Sequence, residues 1–184
     1  GNHSHSHAHF VDAEPGVREE VFTSDLDRSN QIFSAELGEE PSLFSYPYGE
    51  YTDTMVEIIR EKGFVAAAAQ NSGVISPFSN IHALPRFPMA GPYAKLESFK
   101  RKVSMRALPA ATLDNPGHIV SQDNPPLIRV RLQGPERLQT KHMQCFVADT
   151  RECSLDYDEA QGVVTMRSTQ PLQARRTLYT ITVP

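Results

Sequence analysis

The chain has 184 residues, 39% of them hydrophobic, enough for one medium domain or two small ones with a real core. With 18 Lys and Arg against 22 Asp and Glu, its net charge of −4 fits neither a strongly charged disordered chain nor a basic nucleic-acid binder. No apolar run approaches the ~18 residues of a membrane-spanning helix, and the absence of Trp weakens a pure sugar-stacking module.

Residues 1–9 hold His3, His5, His7 and His9, with neither an initiator methionine nor a signal peptide. One reading is a purification tag behind a cleavage-scar glycine. The other is a larger protein entered just before a metal loop. His3 and His7 are four apart, as are His5 and His9, and in a helical turn or tight loop that spacing brings two imidazoles onto one metal ion. Surface histidines are the competing interpretation. Ser4 follows His3 where a zincin protease would carry Glu, which argues against that class.

The stretch from Pro15 to Leu37 is patterned as a helix, with Phe22, Leu26, Phe33 and Leu37 on one face and Gly38 and Pro41 as stop signals. Leu43 to Tyr46 predicts a short buried strand, and Pro47 to Tyr51 a loop. Thr52 or Asp53 then caps a second helix, with Met55, Ile58 and Ile59 on its apolar face and Gly63 beyond it. Phe64 to Ala68 is a second apolar strand. Strand, helix, strand is a βαβ unit, the building block of parallel sheets and barrels, whose chemistry gathers at the carboxyl ends of the strands. The Pro47–Tyr51 loop lies at such an end.

Tyr93 to Val103 predicts a third helix, striped by Leu96, Phe99 and Val103. Pro109, Pro116, Pro125 and Pro126 mark residues 106–126 as a linker. Beyond it the period drops to two over 127–132, 163–167 and 177–183. With Gln144 to Ala148 this predicts a small antiparallel β-sandwich over 127–184. Asp156 to Glu159 is read as a turn, since it lacks the calcium-loop pattern. Cys145 and Cys153 fit no zinc motif. A disulfide across a hairpin would point to the periplasm or cell surface, and two free thiols are the alternative.

Three segments resemble carbohydrate esterase family four, the polysaccharide deacetylases. His3-Ser4-His5-Ser6-His7 is similar to the family's H-[ST]-x-x-H motif, and Ser4 favours His3 and His7 over the other pair. Tyr46-Pro47-Tyr48-Gly49 is similar to its Y-P-Y-G motif, and Leu84-Pro85-Arg86 follows in the family's order. The resemblance covers residues 1–103 and implies an α/β fold, a partial (β/α) barrel over 1–105. It implies that His3 and His7 hold a divalent metal, zinc by default, and that the Tyr48 backbone N–H binds the oxyanion. It further implies hydrolysis of N-acetyl groups on an N-acetylglucosamine-containing polysaccharide in the periplasm or outside the cell.

The chain departs from the family in three places. No T-F-D-D-G motif is present, so the aspartate base and the metal-binding aspartate are missing. We read this as the C-terminal part of a catalytic domain, expected to be inactive in isolation, with an open sheet edge through which two chains could pair. Ser45 stands where the family often has Arg, and Arg86 is the candidate replacement, with a surface arginine as the alternative. No L-x-x-H acid motif is found. His82 is the nearest candidate acid, against a plain loop histidine, and His118 and His142 are assigned no role. The second functional reading is a non-catalytic metal- or carbohydrate-binding envelope protein on a degenerate scaffold.

Overall fold

The computed structural model describes residues 1–114, 119–120, 123–148 and 152–184. The chain divides into two compact units, Gly1–Ala107 and Leu108–Pro184. His118 lies outside the described residues.

In the first unit, α1 (Val17–Leu37) starts after Gly16, whose N–H donates to the Glu19 carboxylate at 2.5 Å, and stops where Gly38 turns left-handed. Phe22 and Leu26 are fully buried, as expected. Leu37 is 65% exposed, because below Leu26 the helix turns the polar pair Ser29 and Asn30 inward instead. β1 (Leu43–Ser45) pairs in parallel with β2 (Ala66–Ala68), Phe44 opposite Ala67. Between them runs α2 (Asp53–Glu61), its first turn capped where Met55 N–H donates to Thr52 Oγ1 at 3.2 Å. Met55, Val56 and Ile59 face the core.

Two further segments join this βαβ unit. Asn2 bridges Phe44 in parallel on the outer side of β1, and Leu84 bridges Ala68 on the outer side of β2. The described residues thus form an open parallel sheet, ordered Asn2, β1, β2, Leu84. Phe10, Phe22, Phe44, Tyr46 and Phe64 fill one face with Leu26, Met55 and Ile59, the aromatic rings meeting mostly edge to face. The third helix, α3 (Leu96–Val103), is shorter than its pattern predicts, and its Leu96, Phe99 and Val103 stripe is exposed.

The second unit begins at Leu108, which corrects the expected linker over 106–126. β3 (Ala110–Asp114) pairs antiparallel with β4 (Ile128–Leu132), so part of the Pro-rich stretch is sheet. Pro109 stands just outside the run, and β3 is an edge strand, where nearby prolines remove no ladder bond. The sheet continues through β7 (Val163–Ser168) to β6 (Cys153–Asp158). Asp156 and Asp158 are therefore strand residues, paired with Thr165 and Val163, rather than a turn. β5 (Gln144–Val147) and β8 (Tyr179–Thr182) form a separate antiparallel pair. A disulfide between Cys145 and Cys153, Cα atoms 5.7 Å apart, ties the pair to the larger sheet. Val130, Leu132, Val164 and Met166 form this unit's core.

Gly49 is fixed by geometry. Its φ is +67°, and a Cβ there would stand 2.4 Å from Gln70 Cβ. Gly49→Ala is expected to destabilise the first unit by about 2 kcal/mol or more through left-handed strain plus overlap, read as a shift of its urea midpoint. Limited trypsin digestion is expected to cut after Arg106 and leave a protected fragment that retains β3. A protected fragment starting near residue 127 would contradict the boundary.

Candidate active site

The site grows from the first residues of the chain. Asn2 N–H donates to the Leu43 carbonyl at 2.7 Å, and Ser45 N–H returns to the Asn2 carbonyl at 2.9 Å. The Asn2 side chain, 1% exposed, donates to Asn30 Oδ1 at 2.8 Å and accepts from Ser29 Oγ at 3.0 Å and Ser4 N–H at 2.8 Å. The next residues curl over α1. His5 and Ser6 N–H groups donate to the two Asp25 carboxylate oxygens at 2.7 and 2.9 Å, an anion in a backbone nest. Arg28 Nε donates to His5 Nε2 at 2.8 Å, and His7 N–H donates to Ser4 Oγ at 2.9 Å.

This anchoring brings His3 and His7 together and sends His5 elsewhere. His3 Nδ1 lies 2.6 Å from the Ser45 carbonyl, an acceptor, so Nδ1 carries the proton and Nε2 is left with its lone pair. His7 Nε2 stands 3.1 Å from His3 Nε2. Two nitrogen ligands of one tetrahedral zinc, each ~2.0–2.1 Å from the ion, would be about 3.3 Å apart. The two rings fit half of such a site, and the carbonyl behind His3 is the outer partner that ligating histidines usually have.

Tyr48 closes the other side. Its φ is +56°, and its ring meets His7 edge-on at 4.6 Å between centroids. His9 stacks on it at 3.6 Å, and His9 Nδ1 lies 2.9 Å from Glu50 Oε2. Ser4, His7 and Tyr48 are the three non-glycine residues with positive φ among those described. All three line this site, and each such conformation costs of order 1–3 kcal/mol.

The remaining candidates separate by strand direction. Arg86 is at the carboxyl end, where its Nε donates to the Ala69 carbonyl at 2.9 Å, one of the five donors a guanidinium has. His82 is not brought to the site. Its Nε2 contacts the Phe64 carbonyl at 2.8 Å, ahead of β2, and its own carbonyl accepts from Tyr46 Oη at 2.9 Å. Phe64 precedes Ala68, the partner of Ser45, by four residues, about 13 Å along a strand. In this structure His82 makes its contacts toward the amino end of β2. Burial pushes the Tyr46 hydroxyl well above its ordinary range, keeping it a neutral donor there. Asp25 is spent on the His5 and Ser6 N–H groups. Among the described residues no group of three His, Cys, Asp or Glu converges to hold an ion.

Residues 1–67 match the family model for polysaccharide deacetylases. Three solved structures are similar over part of their length. The Streptococcus pyogenes deacetylase PplD, in complex with acetate, is 20% identical at TM-score 0.49, covering 56% of this chain and 44% of that one. IcaB from Ammonifex degensii is 26% identical at TM-score 0.46, with 56% and 45% covered. The BpsB deacetylase domain from Bordetella bronchiseptica is 16% identical at TM-score 0.38, with 40% and 28% covered. The chain spans less than half the length of each of these structures. No curated protein matches it.

Sequence reasoning missed Asn2, Arg28, Ser29 and Asn30 as the floor of the histidine loop. One signal was available: Asp25, Arg28 and Ser29 recur at three- and four-residue steps on α1, a polar stripe beside the buried Phe22 and Leu26. Asp25→Ala leaves two backbone N–H groups without their acceptor. It is expected to cost about 1–3 kcal/mol and to broaden the His3 and His7 resonances in an NMR spectrum. Unchanged resonances would remove Asp25 as the anchor.

Proposed function

We propose that this segment serves a metal-dependent N-deacetylase acting on an N-acetylglucosamine-containing polysaccharide of the cell envelope, in the periplasm or outside the cell. The observation that carries the reading is the pair of imidazole Nε2 atoms 3.1 Å apart inside a segment of this family. His3 and His7 would hold the ion, with zinc as the default. An ion held there would supply Lewis-acid chemistry, polarising the acetamide carbonyl and lowering the pKa of a bound water.

The rest falls to the chain's own groups. His3 keeps its proton at Nδ1 on the Ser45 carbonyl and offers Nε2. His7 must release its Nε2 proton, or shift it to Nδ1, before it can ligate. Tyr48 would direct its N–H toward the oxyanion from its left-handed backbone. Arg86, held at the carboxyl end, would orient an acidic partner. The aspartate base and third ligand of a T-F-D-D-G segment are not in these 184 residues. The first unit is then part of a (β/α) barrel, and the second a sandwich-like module whose disulfide suits an oxidising compartment.

The test has two arms. The 184-residue chain is expected to release no acetate from N-acetylglucosamine oligomers, because losing a general base alone forfeits roughly 10²–10⁴-fold. In a protein that joins this chain to an aspartate-bearing segment, His3→Ala should abolish activity, while Tyr48→Phe should keep most of it. Metal-dependent acetate release by the 184-residue chain alone would overturn the assignment of the base. Full activity of the His3→Ala protein would favour the non-catalytic reading of this site.

A further inference from the structure

The two candidate ligands are oriented by different means. His3 has the Ser45 carbonyl on Nδ1, a hydrogen bond that fixes both ring angle and tautomer. Among the described residues, no hydrogen bond reaches His7 Nδ1; the ring is held by its Nε2 contact with His3 and by the edge of Tyr48. The His7 backbone sits at φ +53°, a conformation that would relax if nothing opposed it. The Tyr48 ring is therefore the wall against which His7 rests, and what fixes Tyr48 fixes the ligand.

His9 fixes Tyr48. The two rings lie 12° from parallel at 3.6 Å, the closest ring pair described in the chain. His9 is in turn held by Glu50, whose side chain is only 12% exposed. The spacing is reciprocal: His7 and His9 flank Ala8, while Tyr48 and Glu50 flank Gly49. One loop supplies the edge contact and the stacked ring, the other supplies the wall and the carboxylate.

We propose that Glu50 and His9 form a positioning clamp for the metal ligand His7, acting through the Tyr48 ring. The clamp rests on the reading of His3 and His7 as ligands, and it assigns His9 a role that its mirrored spacing with His5 obscures. His9 touches neither the ion site nor a substrate atom in this account, so it is a positioning residue. Its effect passes through ring packing, which Phe can imitate and Ala cannot.

Zinc titrations of the 184-residue chain, followed by the imidazole Hε1 resonances, test this directly. In the parental chain His3 and His7 should shift on adding zinc. His9→Ala should weaken zinc binding about tenfold, the lower end of outer-shell effects, and should move the His7 resonance in the metal-free chain as Tyr48 leaves its place. His9→Phe should stay within about threefold of the parental affinity by keeping the stack. Glu50→Gln should fall between the two. If His9→Ala fails to fold, His9→Phe and Glu50→Gln still decide. The proposal is overturned if His9→Ala binds zinc within about twofold of the parental chain, or if His9→Phe, folded, loses as much affinity as the Ala change. A His3→Ala, His7→Ala double variant separates the two levels. If it retains parental affinity, the metal reading fails and the clamp with it. If it loses zinc while His9→Ala does not, only the clamp fails.

Discussion

The backbone pairing of Asn2 with Phe44 is the constraint on which the site depends. Two hydrogen bonds, Asn2 N–H to Leu43 and Ser45 N–H to Asn2, set the register of the first segment against β1. In that register the next residue, His3, arrives beside the Ser45 carbonyl, and the carbonyl selects its tautomer. Because side chains alternate along a strand, a one-residue slip would turn His3 to the other face and leave its Nδ1 without that acceptor. The buried Asn2 side chain opposes such a slip, since moving it would strand an amide that Asn30, Ser29 and Ser4 now satisfy. Sheet register, His3 tautomer and the spacing of the imidazole pair are one coupled choice.

The strain at the site follows from the same pairing. Within five residues the chain must leave the sheet, reverse over α1 and return His7 to His3. Ser4 and His7 absorb the reversal in left-handed conformations, and Tyr48 does the same in the facing loop. These costs persist because the ends are overdetermined. Asp25 holds the middle of the turn, Ser4 Oγ holds His7, and Gly49 packs its bare Cα against Gln70 so that Tyr48 cannot drift. Strain concentrated in the loops, with a well-paired sheet beneath, is the distribution expected where geometry serves chemistry.

Much of the first unit was legible because its signals are local. The Thr52 cap, the apolar face of α2 and the two short apolar strands all appear where the pattern places them. Motif resemblance favoured His3 and His7, while spacing alone left His5 and His9 equally eligible. What separates the pairs is tertiary: Arg28 captures His5, and Glu50 with Tyr48 captures His9. The position of His82 was not legible for a related reason. Sequence order puts it near the family's later motifs but does not say at which end of a strand a preceding turn lies. β3 was hidden because prolines at its borders carry the same local signal as a linker, and only pairing with β4 distinguishes them.

The two ends of the parallel sheet divide the labour, and the division explains why the histidine pair can stand preformed. Away from the carboxyl end, Tyr46 Oη and the His82 ring close contacts between segments through hydrogen bonds to backbone carbonyls. At the carboxyl end the polar groups are exposed, since His3 and His7 lie at the surface. Two imidazoles facing each other there need only one proton between their Nε2 atoms, because the His3 proton is already placed on the far nitrogen. Each ring's Nε2 is thus satisfied by the other's. The four-residue spacing that suggests a helical pair is thus realised as a pinned reverse turn, where carbonyl, carboxylate and aromatic contacts, rather than helical pitch, set the distance.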